Sequence, residues 1–323
     1  MATIVDYPAN MFNPAATPAH SIFGVSMFVL ALTAAIFVFV TSLLTYALIK
    51  FRKRDGDDSG EPVQVYGSNQ IETSWTVIPL LLVLMLFLTS ARVILGTQRV
   101  TKPASAVDVQ VIGHQFWWEY RYPKLGIITA NEIHVPVSDP KQPTPSFLEM
   151  SSVDVIHSFW IPRLAGKMDL VPNQVNIMWF DPEKTGLYLG QCAQYCGTQH
   201  AKMLLRVYVD SPADFAAWVA AEQKPAAAPA DAAAAEGKAV FEANACVNCH
   251  RVQGTPSKGA FGPDLTHLAS RDTIAAGAIL NTPENLKKWI ADPNELKPGA
   301  LMPAMRLNDH DLDAVTKYMT TLR

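Results

Sequence analysis

Charge is scarce in this chain. Only 17% of its 323 residues are Asp, Glu, Lys or Arg, 49% are hydrophobic, and the formal net charge is -3. A balance that small and that sign excludes the basic footprint of a nucleic-acid binder. So much apolar sequence calls for membrane segments. Cysteine is scarcer still. There are four, in two close pairs: Cys192 with Cys196, and Cys246 with Cys249. If each pair holds a cofactor, no cysteine is left for a structural disulfide. Lys and Arg are missing from residues 1–20, a Pro-containing stretch read as an irregular tail. Charge of either sign is missing from Ser21 through Ile49.

An uncharged run of that length crosses a bilayer, whose core takes about 20 apolar residues. A cleaved signal peptide would begin basic and carry a core of about 7–15 apolar residues, and this segment does neither. Lys50, Arg52, Lys53 and Arg54 follow at once. A second uncharged run, Thr73 to Ala91, lies between Glu72 and Arg92. Trp75 stands near one end, and Pro79 falls in the expected first turns, where a missing N–H costs least. The expectation is a helical hairpin over residues 1–98, with spans at about 21–49 and 73–91. Its basic loop lies in the cytoplasm of a bacterial inner membrane, and both termini lie on the outer side. Arg92, Arg99 and Lys102 make the outer flank basic as well.

From Val107 the hydrophobic period changes to two. Val107, Val109 and Val111 alternate with Asp108 and Gln110, as in a half-buried strand. Further β-prone runs are 132–137, 146–150, 176–180, 186–190 and 203–209, separated by Pro, Asp and Gly turns. Residues 99–223 therefore form a small all-β sandwich or Greek-key barrel, closed by a helix capped by Ser211 and started by Pro212. An Ala/Pro-rich linker covers 224–235. Residues 236–323 form a last, helical domain, whose final amphipathic helix is capped by Asn308.

Two stretches carry chemistry. Cys192, Cys196, His200 and Met203 lie within twelve residues, in the loop before the last strand. Soft sulfur with imidazole selects copper, or zinc as competitor, over hard cations. A second imidazole comes best from His157, in another loop. The other stretch, Cys246-Val247-Asn248-Cys249-His250, is the attachment signature of a c-type haem. Both cysteines bond the porphyrin, and His250 sits under the iron. A second axial ligand is needed, and Met302 is favoured, with Met305 and Met319 as alternatives. The remaining histidines have plainer roles. His134 reads as a strand residue, His114 as a hydrogen-bonded surface or interface group, and His267 and His310 as exposed. Arg163, Lys167 and Asp169 read as surface ion pairs, or as contacts to a partner or to the haem propionates.

Put together, these marks resemble subunit II of the haem–copper cytochrome c oxidases. The resemblance is carried by Ile71-Glu72-Thr73-Ser74-Trp75-Thr76-Val77-Ile78-Pro79, by Gly113-His114-Gln115, by Asp154-Val155-Ile156-His157-Ser158-Phe159, and by Gly190 through Met203. The C-terminal domain looks like the fused cytochrome c of caa-type members. What the resemblance implies is a cupredoxin-like β domain holding the binuclear copper centre CuA, and a class I cytochrome c domain with one covalent haem c. Cys192 and Cys196 would bridge both coppers, and His157 and His200 would take one each. Met203 and the backbone carbonyl of Gln194 would be weak ligands.

The implied partners are subunits I and III and the rest of a proton-pumping oxidase. The implied donor is a soluble or membrane cytochrome c, or a quinol-oxidising complex. The rivals are a membrane-anchored electron carrier outside any oxidase, and a CuA domain serving nitrous oxide reduction. Two positions depart from the family pattern. Gln194 stands where many relatives carry Glu, and a neutral amide is a poor ligand for magnesium at the junction with subunit I. Phe116 stands where many relatives begin their aromatic run with an electron-accepting Trp; Trp117 and Trp118 follow. The expectation is that the tethered haem has taken over delivery, with Phe116, Trp117 and Trp118 as possible relays. Loss of residues 225–323 should then impair oxidation of soluble cytochrome c.

Overall fold

Long uncharged runs can satisfy their backbone only as helices, and two helices occupy them: α1 (Thr17–Lys50) and α2 (Asn69–Gln98). The computed structural model describes residues 10–53, 56, 60, 61, 64–98, 101–141 and 143–323; residues 1–9 of the expected tail, Arg54 and Arg99 lie outside them. At 1.5 Å per residue α1 and α2 run about 51 and 45 Å, enough to cross a core of about 30 Å with their ends in the headgroups. Phe37, Leu44, Leu80 and Phe87 are exposed on them, as suits helices whose solvent is hydrocarbon. Both helices reach past the uncharged runs into polar flanks. Because α2 begins at Asn69, Pro79 lies inside it and removes an internal hydrogen bond, contrary to its expected place in the first turns. Residues 20–100 form one unit, and the residues up to Ala19 together with 101–323 form another.

Period-two alternation builds the β domain. Its strands are β1 (Val107–His114), β2 (Trp117–Tyr122), β3 (Ile127–Ala130), β4 (Glu132–Pro136), β5 (Ser146–Ser152), β6 (His157–Trp160), β7 (Met168–Leu170), β8 (Asn176–Phe180), β9 (Gly186–Cys192) and β10 (Leu204–Asp210). They form two five-stranded sheets, ordered β3-β2-β1-β5-β8 and β4-β10-β9-β6-β7. Each sheet is mixed: β1 runs parallel to β5, and β10 parallel to β4. In β2 the alternation sends Trp118, Tyr120 and Tyr122 into the core and leaves Trp117 and Arg121 half-buried. Phe159, Leu148, Met150, Leu205 and Val207 complete that core from the other strands. Each such buried side chain contributes about 1.5–3 kcal/mol.

The described part of the N-terminal tail is tied to this domain. Ala15 N–H donates to Arg163 O (2.8 Å), Glu183 N–H to Ala15 O (3.0 Å), and Arg163 Nε to Asn13 O (2.8 Å). Arg163 therefore holds the chain's own tail, with its guanidinium over the Tyr188 ring at 4.8 Å.

A short helix, α3 (Pro212–Glu222), leaves the β domain, capped by Ser211 as expected. The C-terminal domain follows with α4 (Ala232–Ala243), α5 (Cys246–Cys249), α6 (Pro283–Ala291), α7 (Pro293–Leu296) and α8 (Asp309–Met319). Asp231, Thr282 and Asn308 cap α4, α6 and α8 with their side chains. Phe241, Leu286, Ile290, Val315, Tyr318 and Met319 form its core. His267 lies only 4% exposed, its Nε2 bonding Lys224 O at 3.0 Å, which corrects the expectation of an exposed residue. It is buried because the linker folds over it.

Helices α4 and α8 cross at Gly237, where a Cβ would collide with the backbone carbonyl of Ala314. Gly237→Ala should therefore cost about 1–3 kcal/mol, seen as an earlier thermal transition of the C-terminal domain. Gly24→Ala, where a Cβ meets nothing within 4 Å, should leave that transition in place.

Candidate functional site

The sulfur-rich loop runs from the end of β9 into the turn before β10. The β6–β9 pairing, with Phe159 opposite Cys192, sets His157 beside it. A chain of donors results. His157 Nδ1 lies 4.0 Å from Cys192 Sγ, Cys192 Sγ 3.9 Å from Cys196 Sγ, and Cys196 Sγ 3.8 Å from His200 Nδ1. Met203 Sδ sits 3.9 Å from Cys196 Sγ, and Gln194 O sits 3.2 Å from Cys192 Sγ. Two donors sharing one tetrahedral ion stand about 3.6 Å apart, so these spacings fit metal coordination. His157, Cys192 and Cys196 are all buried, with ligand atoms within 4.8 Å of one another.

Electrostatics prepare the site. The hydrogen bond between the two sulfurs drives Cys192 down to about 3, helped by His157 and opposed by burial. The same bond pushes Cys196 up. The pair thus holds one proton, which a bound metal displaces.

Burial lowers the His157 pKa, but hydrogen bonds to Asp154 and Cys192 outweigh it and leave the net shift upward. His157 Nε2 donates to Asp154 Oδ1 at 2.8 Å, which leaves Nδ1 facing the sulfurs. Asp154 is itself fixed by the Gln115 N–H (2.6 Å) and the Val155 N–H (2.6 Å). Removing an orienting partner of a metal-bound imidazole costs about 10–100-fold in affinity. Asp154→Asn should therefore weaken metal retention by about that factor, measured by competition with a chelator.

The second site is a cavity of about 210 Å³ in the C-terminal domain, lined by Cys246, Cys249, His250, Met302 and Met305. His250 Nδ1 donates to Pro263 O at 2.8 Å, so Nε2 is the nitrogen free to bind iron. Burial holds the His250 pKa below its usual value, which favours the neutral imidazole that a metal needs. Gly262 lies against this ring; a Cβ there would come within 2.6 Å of Cε1. Met302, Met305 and Met319 all line the cavity, but Met305 also packs on the domain core and Met319 is buried in it, which leaves Met302 the one not engaged there.

The three aromatics part company. Phe116 and Trp117 line this same cavity from the β domain. Phe116 also reaches the copper loop, since a Cβ on Gly197 would stand 2.9 Å from its Cζ. Trp117 is stacked on His114 at 4.1 Å, and His114 bonds Glu119 Oε2 at 3.0 Å. Trp118 is fully buried in the core, edge-on to His157 at 5.9 Å. Gln115, Arg271 and Lys297 also line the cavity. Sequence reasoning marked Gln115 only within the Gly113-His114-Gln115 run and gave Arg271 and Lys297 no part, because nothing local marks those two.

Comparison with known proteins now bears on both sites. Three family models match in chain order: the transmembrane domain of cytochrome c oxidase subunit II over residues 6–93, its periplasmic domain over 140–209, and cytochrome c over 234–323. The chain is 33% identical over 316 residues to cytochrome c oxidase subunit 2 of Alkalihalophilus pseudofirmus, covering 96% of this chain and 90% of that one. It is 36% identical over 296 residues to cytochrome c oxidase subunit 2 of Bacillus sp. strain PS3, covering 84% and 80%. The chain belongs to the cytochrome c oxidase subunit II family. As a subunit II it is a membrane protein with two spans, a cupredoxin-like copper domain and a fused cytochrome c domain that carries haem c. Membership decides for copper over zinc at the sulfur loop. It also makes the chain part of an oxidase complex.

Proposed function

We propose that this subunit II receives electrons at its haem and passes them through a copper pair to haem a and the oxygen-reducing site in subunit I of a proton-pumping oxidase. The observation that carries this reading is the shared wall: Phe116 and Trp117 of the copper domain line the haem cavity, and Phe116 also touches the copper loop at Gly197. Cys192 and Cys196 would hold the copper pair through their thiolates, His157 and His200 through their imidazoles, and Met203 and the Gln194 carbonyl would complete the set as weaker donors. Six donors exceed the four that a structural zinc ion uses, which supports two ions in this loop. Two shared thiolates supply a one-electron carrier whose shape changes little on reduction.

Cys246 and Cys249 would anchor the haem, and His250 and Met302 would hold its iron. The Gln194 side chain is exposed and neutral, so its main chain serves the metal site and its amide is a poor ligand for magnesium. Beside the copper loop, Val153, Val155, Ile156 and Tyr195 are exposed, an apolar apron suited to burial against subunit I. Lys50, Arg52 and Lys53 face the cytoplasm, which puts both metal domains on the outer side.

The test is metal, haem and subunit analysis of the detergent-purified protein. Two coppers with a seven-line copper EPR signal, one covalent haem per chain and a copurifying subunit I are expected. One zinc per chain would overturn the copper pair. Purification of the chain without subunit I would favour a free membrane-anchored carrier.

A further inference from the structure

We infer that Glu132 clamps the haem domain onto the copper domain in one fixed seat, so that an electron crosses between them without a docking step. The inference rests on the reading of haem and copper as successive carriers. Only an electron crosses this contact, and no bond forms or breaks.

Glu132 opens β4 of the copper domain and is 4% exposed. Its carboxylate takes three hydrogen bonds from the haem domain. Oε2 accepts from Asp272 N–H (3.1 Å), and Oε1 accepts from Thr273 N–H (2.8 Å) and from the Thr273 hydroxyl (2.5 Å). Hydrogen bonds to a charged acceptor shielded from water are the strong kind. Burial pushes the Glu132 pKa up while the Thr273 side chain and the Asp272 N–H pull it down. These partners offset part of the cost of burying the carboxylate.

Two further points of contact fix the orientation. On the neighbouring strand β10, Leu204 N–H donates to Ala276 O (3.0 Å) and the Tyr208 hydroxyl to Asp272 Oδ2 (2.5 Å). Gly277, at φ +76°, lies so close that a Cβ would stand 3.1 Å from Leu204 Cβ. Beyond these, Lys297 is 3% exposed and donates from Nζ to Phe116 O (3.2 Å) and Ala275 O (3.1 Å). The Gln199 amide donates to Pro298 O, and the Gln115 amide donates to Cys196 O at 2.6 Å. A bonded path therefore runs from a wall of the haem cavity, through Lys297, Phe116 and Gln115, to a copper-loop cysteine. Loose encounters are made by exposed side chains at a rim, whereas this contact uses backbone groups and buried side chains.

The linker supports the same conclusion. It does not hang free: Ala226 N–H donates to Gln253 O (3.0 Å). Its Ala227–Ala228 stretch is exposed and open to cutting.

The experiment inserts a site for a specific protease at Ala227–Ala228 and cleaves the detergent-purified oxidase complex, followed by size exclusion. The haem band should stay with the complex in the parent. In Glu132→Ala the released fraction should rise at least about tenfold. Glu132→Gln, which keeps one acceptor oxygen, should release less than Glu132→Ala. Thr273→Val, made on the opposite domain, should also raise release, with the copper EPR and haem spectra unchanged as proof that both domains fold. Equal release from parent and variants would overturn the clamp: full release from all would leave the tether alone holding the haem, and retention in all would assign the seat to the other contacts. Copper and haem content, measured in the same samples, tests the underlying reading separately: missing copper would sink that reading without touching the clamp.

Discussion

Serine in place of Cys196 should empty the copper site. Cys196 Sγ stands at the middle of the donor chain, 3.9 Å from Cys192 Sγ, 3.8 Å from His200 Nδ1 and 3.9 Å from Met203 Sδ. A hydroxyl is a hard donor that stays protonated at neutral pH, so it replaces neither the softness nor the charge of a thiolate. Cys192 also loses the partner that holds its pKa near 3 and becomes harder to ionise. The effect should exceed the 10–100-fold lost with an orienting neighbour, so copper falls below detection and oxygen uptake drops by more than about 100-fold. Haem attachment should survive, because Cys246 and Cys249 line a separate cavity in the C-terminal domain. Metal analysis, EPR and an oxygen electrode check all three outcomes. Full copper with an unchanged EPR signal in Cys196→Ser would remove Cys196 from the ligand set.

Met302→Ala should change the haem as strongly as Cys196→Ser changes the copper. A thioether opposite His250 stabilises reduced iron, and its loss should lower the potential by on the order of 100 mV or more. The weak absorption band of sulfur-ligated ferric haem should vanish with it. Electron delivery to the haem then becomes uphill for a donor matched to the parent potential, and turnover should fall while copper content stays constant. Met305→Ala is the control. Its side chain packs on the core of the haem domain, so it should lower thermal stability and leave the potential near the parent value. A potential drop in Met305→Ala with none in Met302→Ala would exchange their roles. Redox titration and visible spectra of the two variants decide between them.

How far the sites were legible follows from how local their chemistry is. Cys246, Cys249 and His250, the residues proposed to hold the haem, lie within a single helical turn, so their spacing alone announces it. Cys192, Cys196, His200 and Met203 sit on one loop, and their residue types announce a soft metal. His157 was reachable only as the best of several upstream histidines; strand pairing is what brings it to the cysteines. Asp154, which orients it, looked like any turn aspartate. Trp117 and Trp118 stood together as candidate relays until the pleat of β2 sent one toward the haem cavity and the other into the core.

The two spans, the alternating β domain, the haem-attachment signature and a soft-metal loop are all readable from the chain alone. Each of these is written in length, period or spacing along a continuous stretch. That the haem domain is seated on the copper domain rather than merely leashed to it is visible in three dimensions alone. That seat joins Glu132 to Thr273 across 141 positions, and Lys297 to Phe116 across 181. Glu, Thr and Lys are ordinary surface residues in any sequence, and burial against a partner far along the chain is what makes these three structural.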